Sequence, residues 1–107
     1  MSVSRNGEMD PLGSIDPIIH APARLQLVTQ LYVIEDADAT FLSNATGLTW
    51  GNLSSHLRKL EEHGYVEINK GFRGRKPRTV VSLTDRGRAA FQHYRTTIQT
   101  ALGNLPD

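Results

Sequence analysis

Between Gly51 and Lys59 the chain offers Asn52, Ser55, Arg58 and Lys59, and between Lys70 and Arg78 it sets five cations, Lys70, Arg73, Arg75, Lys76 and Arg78, with no acid among them. Asn can make paired hydrogen bonds to adenine. Ser can serve either base type or a phosphate, and Arg takes guanine or a phosphate. The second cluster suits phosphate oxygens, which position a protein on a duplex without specifying sequence. Read together, a base-reading segment and a phosphate-holding segment imply a nucleic-acid reader. Each cluster also has a plainer explanation, because any solvated helix shows an outward polar face and a basic loop can simply aid solubility. Five like charges in nine residues repel one another, however, which favours a polyanionic partner.

These side chains need elements to hold them. Thr49 can cap a helix running to about His63, with Gly64 supplying the left-handed residue that ends it. At 100° per residue Leu53, Leu57 and Leu60 form one stripe with Trp50 at its edge, read as core, while Gly51, Asn52, Ser55, Arg58 and Lys59 lie opposite. Gly51 leaves backbone close to whatever docks there. Ahead of it, Thr40 can cap a short helix of about Phe41 to Thr46 whose Phe41, Leu42 and Ala45 would face the core, stopped by Gly47. Two helices joined by a short turn containing Gly, the second one longer, make a helix-turn-helix.

On either side of this pair the periodicity continues. Pro22 opens a first helix from Ala23 to about Glu35, carried by Leu27, Leu31 and Ile34 and ended by the acidic turn Glu35 to Asp38. Tyr65 to Lys70 alternates as a half-buried strand, and Thr79 to Leu83 is rich in β-branched residues. The stretch Gly71 to Pro77 between them, with two glycines and a proline, predicts a hairpin tip. Such a pair is marginal alone, so it must lie on the helices or gain a third strand, for which Asp38 to Thr40 is the candidate. Thr84 caps a last helix with Asp85 in its first turn and Ala89, Ala90, Tyr94, Ile98, Ala101 and Leu102 along it, ended by Pro106. The fold class expected is mainly α with a small antiparallel β-hairpin. Residues 1 to 15 lack periodicity and are expected to be a mobile arm, with residues 16 to 107 as the folded domain.

Composition bounds the possibilities. With 107 residues there is enough chain for one domain with a modest core. The sequence has no cysteine, which removes disulfides and thiolate metal sites. Apolar runs fall well short of the roughly 18 residues a membrane span needs, and no basic-then-apolar signal pattern opens the chain. A soluble cytoplasmic protein is the expectation. The formal net charge of +1 conceals a division: residues 1 to 57 sum to −4, whereas residues 58 to 95 hold ten of the twelve cations and sum to +6. Since screening limits each charge to about 8 to 10 Å, the local patch matters more than the total.

Residues Gly51 to Leu57, a Gly-Asn-Leu-Ser-x-His-Leu helix, are followed by Lys59-Leu60-Glu61 and Gly64-Tyr65-Val66. Then come Lys70-Gly71-Phe72, Gly74 to Thr79, Leu83-Thr84, Gly87-Arg88 and Ala90-Phe91. In this order the motifs resemble the winged helix-turn-helix domain of MarR/ArsR-like bacterial and archaeal transcriptional regulators, over about residues 20 to 100. The resemblance implies a homodimer that binds operator DNA, with the third helix in the major groove and the wing at the backbone or adjacent minor groove. Carried over by position, Asn52, Ser54, Ser55, His56, Arg58 and Lys59 are groove candidates, and Arg73, Arg75, Lys76 and Arg78 belong to the wing. Thr49, Gly51 and Lys70 complete the DNA-binding set. The first and last helices would supply the dimer interface, because Leu25, Val28, Tyr94, Ile98 and Leu102 are expected to be poorly covered in a lone domain.

The rival from another class is a winged-helix protein-interaction module. Salt-dependent retention on duplex DNA separates the two. An enzyme is a weaker reading: His20, His56, His63 and His93 are scattered, no phosphate-cradling glycine loop or Ser-His-Asp grouping is evident, and no cofactor or metal is expected.

Overall fold

The computed structural model describes residues 11–103, 105 and 106. A short 3-10 turn, Pro11–Ser14, precedes helix α1 (Pro22–Ile34), strand β1 (Asp36–Asp38), helices α2 (Ala39–Thr46) and α3 (Trp50–Glu62), strands β2 (Val66–Arg73) and β3 (Lys76–Leu83), and helix α4 (Asp85–Gly103). The strands form one antiparallel sheet in the order β1-β3-β2. Most of the expected arm, residues 1 to 10, lies outside the described residues. Its last part forms the 3-10 turn against α4, and Ile15 packs on the core.

Each helix contributes its apolar stripe to one core. Leu27, Val28 and Leu31 come from α1, Ala39 and Leu42 from α2, Leu53, Leu57 and Leu60 from α3, and Phe91 and Tyr94 from α4, with Ile19, Ala37, Val66 and Val81 filling between them. Burying a Leu of this kind stabilises the fold by about 1.5–3 kcal/mol. The α3 spacing therefore decides which side of that helix is left to solvent.

Several elements differ from the sequence expectation. The cap of α2 is Asp38, whose carboxylate accepts the Thr40 N–H at 2.8 Å, so the helix begins at Ala39 instead of after Thr40. Turning the chain there leaves Phe41 46% exposed and Ala45 exposed; Leu42 is buried as expected, and Ala39 joins it in the core. The third strand is Asp36–Asp38, two residues earlier than Asp38 to Thr40, with Ala37 opposite Val81 and turned into the core. Glu35, at φ 68, makes the left-handed exit from α1 that allows this.

The hairpin departs most. Its strands run on through the stretch expected to be a tip, pairing Lys70 with Thr79, Gly71 with Arg78, Phe72 with Pro77 and Arg73 with Lys76. Only Gly74 and Arg75 remain as the turn. Gly74 has φ 65 at the first central position, where two-residue turns of the II′ kind place glycine. The root of α4 is stitched to the start of β2: Thr84 donates its hydroxyl to the Gly64 carbonyl at 2.6 Å, accepts the Gly87 N–H at 2.9 Å, and donates its own N–H to the Tyr65 carbonyl at 3.0 Å.

Candidate nucleic-acid interface

Helix α3 begins where Thr49 Oγ1 accepts the Asn52 N–H at 3.2 Å, an N-cap that fixes the first turn. With Leu53, Leu57 and Leu60 buried, Gly51, Asn52, Ser54, Ser55, Arg58 and Lys59 are all exposed. Strand alternation sorts the hairpin in the same way. Val66, Ile68, Lys70 and Phe72 share one sheet face with Val81, Thr79 and Pro77, and this is the face that packs on the helices nearer the core. Arg73, Lys76 and Arg78 lie on the other face, and Arg75 sits at the turn.

Where the inner face of the hairpin leaves the core, it opposes α3 across an open groove of about 580 Å³. Trp50, Ser54, Arg58 and Glu61 line it from the helix, and Ile68, Lys70 and Thr79 from the strands. The groove thus brings Ser54, Arg58 and Lys70 together among the candidate residues. Asn52, Ser55 and Lys59 lie further round the helix. The sequence reading missed Glu61, Thr79 and above all Trp50, which is 57% exposed instead of packed in the core. Its place at the first turn, 60° from the Leu53 direction by the 100° rule, was the available signal.

Two candidates have partners within the chain. His56 is half-buried on the flank of α3, where Arg24 Nη1 donates to its Nδ1 at 3.3 Å, since a guanidinium can only donate. Arg24 also donates to the Ile18 carbonyl at 2.6 Å, so it braces the segment before α1 against α3. Arg78 pairs with Asp38 at 3.1 Å. The Thr40 N–H, and then the Arg78 guanidinium, hold the Asp38 carboxyl below the usual carboxylate range. At the hairpin root, burial together with the Asp16 carboxylate that accepts its hydroxyl pushes Tyr65 up to about 12.

Residues 23–102 match the sequence profile of the winged helix DNA-binding domain. The chain belongs to that family. An uncharacterized protein of Methanocaldococcus jannaschii is 36% identical over 77 residues, spanning 72% of this chain and 84% of that protein. The transcriptional regulator homologue protein from Pyrococcus horikoshii OT3 superposes with a TM-score of 0.81 at 29% identity, covering 94% of this chain and 99% of that one. Reduced AbfR bound to DNA shares the fold alone, at 17% identity and a TM-score of 0.62 over 95% of this chain and 66% of that chain. Solved MarR- and ArsR-family regulators share it too, at 19% and 15% identity. In the terms of the winged helix, α2 and α3 are the helix-turn-helix and β2–β3 is the wing. No helix among the described residues is long and apolar enough to cross a membrane.

The interface expected from the first and last helices needs one correction. Val28 is fully buried and Tyr94 is 7% exposed within the single winged helix, because α1 and α4 pack on each other through Tyr32 and Phe91, whose ring centroids are 4.9 Å apart. Leu25 and Ile98 are partly buried. Leu102 is exposed, as expected, and so are Val33 and Leu105, which the sequence had not pointed to, and Ile34, which it had placed on the periodic stripe of the first helix with Leu27 and Leu31.

Proposed function

We propose that this winged helix is a sequence-specific, double-stranded-DNA-binding transcriptional regulator of the MarR/ArsR kind, acting as a homodimeric repressor that occludes a promoter. The observation that carries this reading is the shared groove. Ser54 and Arg58 of α3 and Lys70 of the wing line one open concavity, so one cation of the hairpin faces the exposed polar side of α3, which supports a shared surface, while Arg73, Lys76 and Arg78 lie on the other face of the ribbon. In this reading Asn52, Ser55, Arg58 and Lys59 meet base edges and phosphates in the major groove, while Arg73, Arg75 and Lys76 hold the adjacent backbone. Glu61, the one acid in the groove, disfavours phosphate at its own end and thereby biases register.

The dimer is supported by the apolar ends of α1 and α4. Val33, Ile34, Leu102 and Leu105 expose side chains that a second copy would cover. Two-fold symmetry would then read half-sites about 34 Å apart. A gel-shift titration against the DNA upstream of the protein's own coding sequence tests the reading. Salt-sensitive binding, tighter than to random duplex, is expected, whereas equal affinity for both would end the claim of a specific regulator.

A further inference from the structure

Phe72 is 74% exposed in the middle of five cations, on a ribbon that has left the core behind. Register fixes its direction. It shares the inner face of the wing with Ile68 and Lys70, both of which line the groove against α3, and it stands directly across from Pro77. Two residues beyond Lys70, it lies about 7 Å further out along the strand. The inner wing face therefore runs from a cation at the groove wall to an apolar Phe/Pro pair at its outer end. The charges around that pair, Arg73, Lys76 and Arg78, occupy the opposite face or, like Arg75, the turn.

With α3 in a major groove, the sugar-phosphate ridge that borders it must lie in the concavity between helix and wing, where Ser54, Arg58, Lys70 and Thr79 offer donors. What lies across that ridge is the minor groove, about 6 Å wide. A two-stranded ribbon spaced about 4.8 Å between backbones is too broad, once side chains are added, to enter it. A single side chain can.

We propose that Phe72, backed by Pro77, enters the minor groove beyond the ridge as an apolar wedge that opens a base step and bends the DNA, a role distinct from the phosphate grip of the wing cations. This rests on the DNA-binding reading above. Minor-groove wedges of Phe or Pro partly unstack a step and kink the duplex by about 20–90°. An exposed aromatic on the same face as Lys70, with the other wing cations behind it or at the turn, is suited to that environment, because the charges hold the polyanion while the ring meets bases and deoxyribose. A protein partner for the same ring would instead require the surrounding like charges to be desolvated.

The test uses the full chain and an end-labelled duplex of about 30 base pairs, three helical turns, from the region upstream of its coding sequence. Binding is followed by the emission of Trp50, the single tryptophan in the sequence, which sits in the groove itself. Bending is followed by energy transfer between the DNA ends. Wild type should quench Trp50 emission and shorten the end-to-end distance. F72A should still quench Trp50, bind about tenfold more weakly with an unchanged salt slope, and leave the duplex straight, while F72L retains part of the bend. R75A should show the reverse pattern, a lower salt slope with the bend intact. If wild type binds without bending, or F72A bends the duplex as wild type does, the wedge is refuted while the DNA reading stands. If Trp50 emission does not respond to duplex at all, both fall.

Discussion

Gly87 offers the sharpest test of how the wing is set relative to the helices. A Cβ at this position would lie 2.2 Å from the Tyr65 carbonyl oxygen and 2.9 Å from Leu83 Cδ1, so α4 crosses the root of β2 with backbone against backbone. The oxygen has little freedom to yield, because it accepts the Thr84 N–H at 3.0 Å and Thr84 is itself bound to Gly64. For G87A, overpacking costs about 1–3 kcal/mol, and loss of the Thr84–Tyr65 bond leaves buried groups unpaired for about another 1–3 kcal/mol. Alanine's better helix propensity returns about 1 kcal/mol. The net is about 3 kcal/mol, which at about 4 °C per kcal/mol for a domain of this size lowers Tm by about 12 °C. Circular dichroism melts would measure it. The control is G103A at the far end of the same helix, where a Cβ meets nothing within 4 Å and Tm should not fall. A G87A protein that melts together with wild type and G103A would refute the close crossing of α4 over the hairpin root.

The remaining predictions concern charge and pH. R75A should weaken binding to all duplexes and lower the salt slope by about one, whereas N52A should mainly erode discrimination between the upstream region and random DNA; equal losses on both DNAs in both variants would contradict that division. D38N removes the acid that pairs with Arg78, so Arg78 is freed and DNA affinity should rise in low-salt gel shifts while the melting temperature falls; unchanged affinity would mean Arg78 does not reach the backbone. Tyr65 sets an alkaline limit. Well below pH 10.0 it is protonated folded or unfolded, but between 10.0 and about 12 the unfolded chain ionises first, so stability falls as pH rises through that window, by at most about 3 kcal/mol. Urea unfolding of wild type and Y65F at stepped pH should show this extra slope in the wild type only.

The parts of this fold that were legible in the sequence are those where a local signal and the core agree. Thr49, the Leu53-Leu57-Leu60 stripe and Gly64 define α3 almost to the residue, since capping, periodicity and a left-handed stop act within one turn of the chain. The hairpin was harder to read. From Asn69 to Arg78 both faces are polar or exposed, so no alternation marks the strands, and the pairing of Phe72 with Pro77 is a matter of register alone. Asp38 displaced Thr40 as a cap because both residues can accept a backbone N–H and only the place of β1 decides between them. The outward candidates on α3 followed from the angles. Trp50 did not, because an aromatic at the edge of an apolar stripe is read as core unless the neighbouring hairpin is known to stop short of covering it. The link from Arg24 to His56, spanning 32 positions, carries no sequence signal at all.

Six residues ahead of α1 touch three distant parts of the molecule. Asp16 accepts the Tyr65 hydroxyl at the hairpin root, the Ile18 carbonyl takes the Arg24 guanidinium that reaches His56 on α3, and His20 shares a hydrogen bond with the Tyr94 hydroxyl of α4 at 2.8 Å. Residues 15 to 20 are in this sense a keystone. Tension on the segment ahead of α1, from a fused module or a tether, would bear on α3 and on the hairpin root through the same few hydrogen bonds. For engineers this makes position 15 a lever: a module grafted immediately upstream adjoins the links to the hairpin root, to α3 and to α4 together, whereas one attached after α4 adjoins only the helix that carries Tyr94.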